Sequence, residues 1–210
     1  MGRPPSALLS PEAIVAASFR LVDEGRSFGM RQVARELSVS TPSLYNHVDG
    51  LDALIELMRA SLGADVSEAG DQLDALRWDE RIRRIAIEVH AAYSAHPRFL
   101  THLLGTPISS RGITARYEVL ADAIAEAGLD DFEVRTKIDQ IDSLALGAAL
   151  ELLTTDDIWK DAASGGALDR ARRSWTDSRE RLTYAYLTGI DLILDDLRSR
   201  AERPTNDVSP

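Results

Sequence analysis

Thr41, Pro42, Ser43, Tyr45, Asn46 and His47 gather hydroxyl, phenol, amide and imidazole groups into one short run, broken by a single apolar residue, Leu44. The groups of the run are hydrogen-bond donors and acceptors, the kind that meet base edges and phosphate oxygens. Arg31 and Gln32, a little upstream, add a cation and an amide to the candidate set. Catalytic and metal chemistry have less support. His90, His96 and His102 stand six apart, whereas helical metal pairs stand three or four apart, and Pro97 interrupts the run. They read as separate polar or core histidines, so neither a metal site nor a cofactor is expected. The chain contains no cysteine, which excludes disulfides, thiolate zinc sites and cysteine nucleophiles. It has no Walker-A sequence, no GxGxxG run and no G-x-S-x-G elbow. Asp156-Asp157, after Thr154-Thr155, reads as a helix-end loop rather than a catalytic dyad. The expectation is a binding protein and not an enzyme.

A short polar run needs a scaffold. The spacing predicts a helix from Met30 to Leu37, a tight turn at Ser38-Val39-Ser40, and a second helix from Thr41 to His47 with Ser40 as N-cap. Two helices this short cannot bury a core alone. Val33, Leu37, Val39 and Leu44 must pack on a third helix, which residues 10–25 supply. That helix starts with Ser10 as N-cap and Pro11 at its first position, where the missing N–H costs nothing. It carries Ile14, Val15, Ala17, Phe19, Leu21 and Val22, and ends at Gly25. Ala34 is small enough for a close crossing. In this arrangement the Thr41–His47 helix turns its polar side chains outward, a face that suits a major groove.

The run Val33-Ala34-Arg35-Glu36-Leu37, a valine in the turn, and Thr41-Pro42-Ser43-Leu44-Tyr45-Asn46-His47-Val48 resembles the DNA-binding head of the tetracycline-repressor (TetR) family. The resemblance covers residues from about 10 to 58, including Asp52-Ala53-Leu54. It implies that Thr41–His47 is a recognition helix. It also implies that Tyr45 and His47 meet phosphates, that Thr41, Pro42, Ser43 and Asn46 lie near bases or sugars, and that Arg3 belongs to an arm reaching the DNA backbone. Three positions depart from the family pattern. Gly29 replaces a capping threonine, Ser38 replaces a turn glycine and would be strained in a left-handed conformation, and Leu51 replaces a phosphate-binding lysine. All three imply a weaker phosphate contribution than is usual for the family.

Net charge is -10, with 44% hydrophobic and 28% charged residues, an ordinary globular composition. Residues 1–50 carry five arginines against five acids, so the whole imbalance lies beyond them. Only the head can approach phosphate cheaply. No apolar run is long enough to cross a membrane and no secretory signal is seen, so a cytoplasmic setting is expected. Beyond residue 50, helices are predicted at Leu51–Leu62, Trp78–Ala95, Arg111–Ala127, Phe132–Leu153 and Trp175–Arg198. Ala64–Leu76 and Ala162–Ala167 read as loops, although a frayed helix also fits the first. Val134, Ile138, Ile141, Ala145, Ala148 and Leu152 form a heptad-like seam, and Leu144, Leu146, Leu150 and Leu153 make further faces apolar. Leu187, Ile190, Leu194 and Leu197 form another stripe, with Ala185 and Gly189 a small-residue patch beside it. One reading is an intramolecular core. The reading favoured is a face shared with a second copy, and the resemblance implies a four-helix dimer bundle there.

The expected fold is all-α: a three-helix helix-turn-helix head joined to a larger helical ligand-binding and dimerisation domain. Residues 1–50 are assigned to DNA binding, 51–202 to effector binding and dimerisation, and 203–210 to a disordered tail. Tyr93, Phe99, His102, Leu103, Tyr117 and Trp159 are the candidate effector pocket, with His96, Leu104 and Ile108 as further candidates for its lining. The function expected is sequence-specific regulation of transcription by a homodimer, as a repressor released from double-stranded operator DNA by a small molecule. The alternative is a small-molecule-binding or dimeric scaffold protein with a degenerate head. Operator, effector, regulated genes and the sign of regulation are not written in the sequence.

Overall fold

The computed structural model describes residues 9–63, 73, 75–103, 105–154, 159 and 163–202. Every regular element among them is helical: α1 (Pro11–Asp23), α2 (Met30–Glu36), α3 (Thr41–Tyr45), α4 (Leu51–Leu62), α5 (Trp78–Ala95), a 3₁₀ turn (Pro97–Phe99), α6 (Leu100–Leu103), α7 (Arg111–Ala125), α8 (Asp131–Glu151), α9 (Ala167–Arg173) and α10 (Ser178–Ala201). The all-α expectation is met. Arg3, Leu104, Asp156-Asp157, most of the 64–76 stretch and the 203–210 tail lie outside the described residues.

The chain packs as two units: residues 1–70 with 96–115, and residues 71–95 with 116–210. The first contains the head. Ile14, Ala17, Leu21, Val33, Ala34, Leu44, Leu54 and Met58 are buried in it, so α1 is the scaffold that α2 and α3 require. Ser10 caps α1, its Oγ accepting from the Ala13 N–H at 3.2 Å. Phe99 is wholly buried in the same cluster, its ring edge-on to Phe19 at 5.2 Å. His96 stacks on Phe19 at 3.9 Å and bonds Asp23 Oδ2 through Nδ1 at 2.7 Å. After α5 the chain therefore returns to the head. α4 packs on α1 through one face. From another face the buried Arg59 guanidinium donates to the Thr106 and Pro107 carbonyls at 3.2 Å, and Glu56 accepts the Ser109 and Ser110 N–H groups at 3.1 and 2.7 Å.

The second unit is built on α8, which packs against α5 and α10. Ile82, Ile85, Leu120, Ile124, Ile141, Ala145, Tyr186, Ile190, Leu194 and Leu197 form its core. Ion pairs lace its surface: Arg83–Asp191 and Arg198–Asp79 join α5 to α10, Arg200–Glu133, Lys137–Asp196 and Arg181–Glu151 join α8 to α10, and Arg116 holds Glu88.

Several helix ends differ from the sequence reading by one to three residues, and one helix is additional. α3 ends at Tyr45, because Val48 is buried and the chain turns early to seat it. α10 starts at Ser178, where Asp177 caps it by accepting the Glu180 N–H at 3.0 Å, so Trp175 lies outside the helix. α9 was not expected at all. Its local ionic contacts outweigh the glycines before it: Asp169 accepts from Gly165 N–H at 3.0 Å and from Arg172 and Arg173. Those contacts hold the Asp169 carboxyl down at about 2, with the Gly165 N–H the largest cause.

Candidate nucleic-acid interface

The geometry of α3 follows from two residues. Ser40 is extended and its Oγ accepts the Ser43 N–H at 3.2 Å, starting the helix. Leu44 is fully buried and pins the helix to the head core. The other side chains then point elsewhere: Pro42, Tyr45, Asn46 and His47 are exposed, Tyr45 at 51%, while Thr41 and Ser43 are half-buried. The Ser43 hydroxyl lies 2.7 Å from the Ser40 hydroxyl, so it is already engaged within the helix start. Arg31 is exposed. Gln32 is half-buried and folds back, so that a Cβ added at Gly29 would stand 3.0 Å from its Oε1. Gly29 supplies no side-chain cap to α2.

The turn between α2 and α3 is closed by Ser38 N–H to Arg35 O at 3.0 Å and Val39 N–H to Ala34 O at 2.9 Å. This is a Schellman arrangement, and it puts Ser38 at φ 57°, in the left-handed region. α1 ends in the same way with Gly25 at φ 66°.

Charge on the head is partitioned. Arg20 and Arg26 both reach Glu36, at 3.5 and 3.1 Å, and Arg26 also reaches Glu24. Arg31 and Arg35, one turn apart on the exposed side of α2, form no ion pair among the described residues. Arg35 was missed in the sequence reading. Its signal was the four-residue spacing from Arg31, which leaves two like charges as neighbours on a helix.

The effector candidates fall into two places. Phe99, His102 and Leu103 belong to the first unit: Phe99 is head core, His102 meets Phe28 edge-on at 5.1 Å, and Leu103 packs on the same cluster. Tyr93, Tyr117 and Trp159 belong to the second, where Trp159 is exposed and Tyr93 and Tyr117 are half-buried. Phe99 is thus part of the buried cluster of the first unit, because Pro97 follows the end of α5 and the next residues pack on α1.

Tyr117 donates to Asp142 Oδ2 at 2.7 Å. Burial pushes the Tyr117 hydroxyl up, and the Asp142 charge adds to this. Burial also pushes the Asp142 carboxyl up; the Tyr117 bond opposes it and Asp139 reinforces it. The His90 ring stacks on Tyr186 at 4.5 Å, and its Nε2 bonds Thr183 Oγ1 at 3.2 Å. Burial lowers its pKa, with Arg179 contributing.

The fold is that of the TetR-family transcriptional regulators. The apo crystal structure of ActR from Streptomyces coelicolor aligns with a TM-score of 0.68 at 21% identity, over 93% of this chain and 97% of that one. ActR in complex with actinorhodin aligns at 0.63 and 19%, over 94% and 100%. A TetR variant from Acinetobacter baumannii AYE in complex with minocycline aligns at 0.64 and 16%, over 93% and 99%. Among curated proteins, the chain is 32% identical over 149 residues to the HTH-type transcriptional repressor DrrR1 of Streptomyces coeruleorubidus, covering 70% of this chain and 55% of that protein. It is 24% identical over 164 residues to an HTH-type transcriptional regulator of Saccharopolyspora erythraea, covering 76% and 66%. The matches thus span 55% and 66% of those relatives' lengths. No protein-family model matches the sequence. No helix among the described residues is long and apolar enough to cross a membrane.

Proposed function

We propose that this chain is a homodimeric, sequence-specific DNA-binding regulator of the TetR family, a cytoplasmic repressor released from its operator by a small molecule. The observation that carries the reading is α3: a helix anchored by one buried leucine, with Tyr45, Asn46 and His47 exposed, while Arg31 on α2 is exposed and forms no ion pair among the described residues. Tyr45, His47 and Arg31 take phosphates, and Thr41, Pro42 and Asn46 face bases or sugars. Ser43 contributes its N-terminal position more than its hydroxyl. Gln32 and Arg3 assist on the flanks. By role, residues 1–50 bind DNA, 51–202 bind effector and partner, and 203–210 form a tail.

The partner reading is supported by the exposed side of α10, where Leu192 is 67% and Tyr184 61% exposed, and by Leu144 on α8 at 37%. Gly189 belongs to a different contact, since a Cβ there would stand 3.1 Å from Leu144 Cδ1 of the same chain. A two-fold dimer through Leu192 and Tyr184 would give two heads reading an inverted repeat, with α3 helices roughly 34–36 Å apart. A gel shift with the DNA flanking its own gene tests the reading. Expected is a saturable, sequence-selective complex that Tyr45→Ala weakens on every sequence. A head that leaves all such DNA unbound at low salt would make the chain a dimeric small-molecule-binding protein instead.

A further inference from the structure

The head carries an open cavity of about 280 Å³ lined by Leu21, Arg26, Ser27, Gln32 and Arg35. Three stretches of chain build it. The turn that ends α1 brings Arg26 back over that helix, its N–H donating to the Leu21 carbonyl at 2.9 Å, and the buried Leu21 side chain supplies an apolar wall. Ser27 follows in the exposed connection between α1 and α2, and Gln32 and Arg35, three apart on α2, complete the lining.

The fold leaves most of the polar groups here unused. Among the described residues, the Ser27 hydroxyl, the Gln32 amide and the Arg35 guanidinium make no hydrogen bond or ion pair within the chain. Arg26 differs, since Glu24 and Glu36 each hold it at 3.1 Å, and Glu36 is shared with Arg20 at 3.5 Å. Those two arginines and two glutamates cancel, so the cavity carries one uncompensated positive charge, that of Arg35. A single free guanidinium, two neutral hydrogen-bonding groups and an aliphatic wall fit an anion of one charge with a carbon face beside it. A phosphodiester with its deoxyribose is such a group. A phosphate monoester carries nearly two charges at neutral pH and would meet Glu24 and Glu36 with one of them unbalanced. Arg35 also stands one turn from Arg31 on the exposed side of α2, next to a residue already assigned to phosphate.

We propose that this cavity receives one sugar-phosphate of the operator backbone. Arg35, Ser27 and Gln32 donate to the phosphate oxygens, and the deoxyribose lies against Leu21 and the aliphatic stem of Arg26. The proposal rests on the reading of the head as DNA-binding, and it adds a backbone contact outside the recognition helix α3. No covalent step is involved.

The test uses the full chain and the duplex it binds from the DNA flanking its own gene. Versions of that duplex each carry a neutral methylphosphonate at one backbone position. One position should cost roughly tenfold in affinity by fluorescence anisotropy, the scale of one charge-assisted hydrogen bond. In Arg35→Gln the same position should cost nothing further, and the salt slope should fall by about 1. Ser27→Tyr changes no charge but fills the cavity, and it should silence the same position. Both residues are exposed, so neither variant disturbs the core, and Arg35→Lys should restore the slope. If no position loses its effect in Arg35→Gln, or if Ser27→Tyr keeps the parent pattern, the cavity is no phosphate site and Arg35 is only diffuse surface charge. Two small probes separate this from the wider reading. The dinucleotide TpT, one phosphodiester between two sugars, should shift the Arg35 side-chain NMR signal at millimolar concentration in the parent and not in Ser27→Tyr. A chain that binds no DNA at low salt defeats the wider reading, and TpT then decides the cavity alone: a response upholds it and silence overturns it. Tighter binding of 2-deoxyribose 5-phosphate, a free monoester, than of TpT would overturn the assignment to a DNA backbone.

Discussion

The two Schellman turns of the head form an internal control. Gly25 closes α1 at φ 66° and Ser38 closes α2 at φ 57°, with matching hydrogen bonds. Glycine adopts this conformation freely, whereas an L side chain there costs roughly 1–2 kcal/mol. Ser38→Gly removes that cost. It also gives the unfolded chain more freedom, which takes back roughly 0.4–1 kcal/mol. The net expectation is a gain of about 1 kcal/mol, which for a chain of this size raises Tm by about 2–4 °C. Gly25→Ala should move the other way by a similar amount, because the alanine Cβ would stand 3.5 Å from Arg98 Nη1, an ordinary contact that adds no clash. Urea unfolding followed by circular dichroism measures both, with the midpoint moving and the slope unchanged. Because the turn sets the angle of α3, operator affinity of Ser38→Gly should match that of the parent. A Ser38→Gly variant no more stable than the parent would refute the strain argument. It would mean that the serine side chain supplies an interaction worth as much as the conformational cost.

Other outcomes follow from the same geometry. Arg31→Ala should lower the salt slope of operator binding by about 1, whereas Arg26→Ala, already neutralised by Glu24 and Glu36, should leave it nearly unchanged; equal slopes for the two variants, read by fluorescence anisotropy, would count against the partition of charge. Leu192→Arg should halve the mass found by sedimentation without changing the helical content, since the residue is 67% exposed within one chain. His90 is held neutral by burial, so its folded pKa lies below the unfolded value. Its contribution to stability is complete above the unfolded pKa, near 6.5, and is lost as pH falls from there through the folded pKa. His90→Gln should flatten that part of the Tm–pH curve, and an unchanged curve would exclude the residue as its source.

Local chemistry made much of this protein legible in the sequence. Ser10 before Pro11, Ser40 before Thr41, and Gly25 after Asp23-Glu24 mark helix ends by their own hydrogen-bonding capacity and backbone freedom, and the structure has α1 and α3 starting where those residues put them. The lone Leu44 among polar neighbours identified which side of α3 is buried, because a single apolar residue on a five-residue helix leaves no other choice of face. What the tertiary structure decided was which charges cancel and where the chain doubles back. Arg20, Arg26, Arg31 and Arg35 are indistinguishable as letters. Glu36 lies close enough to neutralise the first two, and that depends on the angle at which α2 crosses α1. That Phe99 is buried against Phe19 follows only from the return of the chain after Ala95. Asp142 is one acid among many until the packing of α8 against its neighbours brings the Tyr117 hydroxyl to 2.7 Å from its carboxylate, because which side chains meet across elements is a property of the folded arrangement alone.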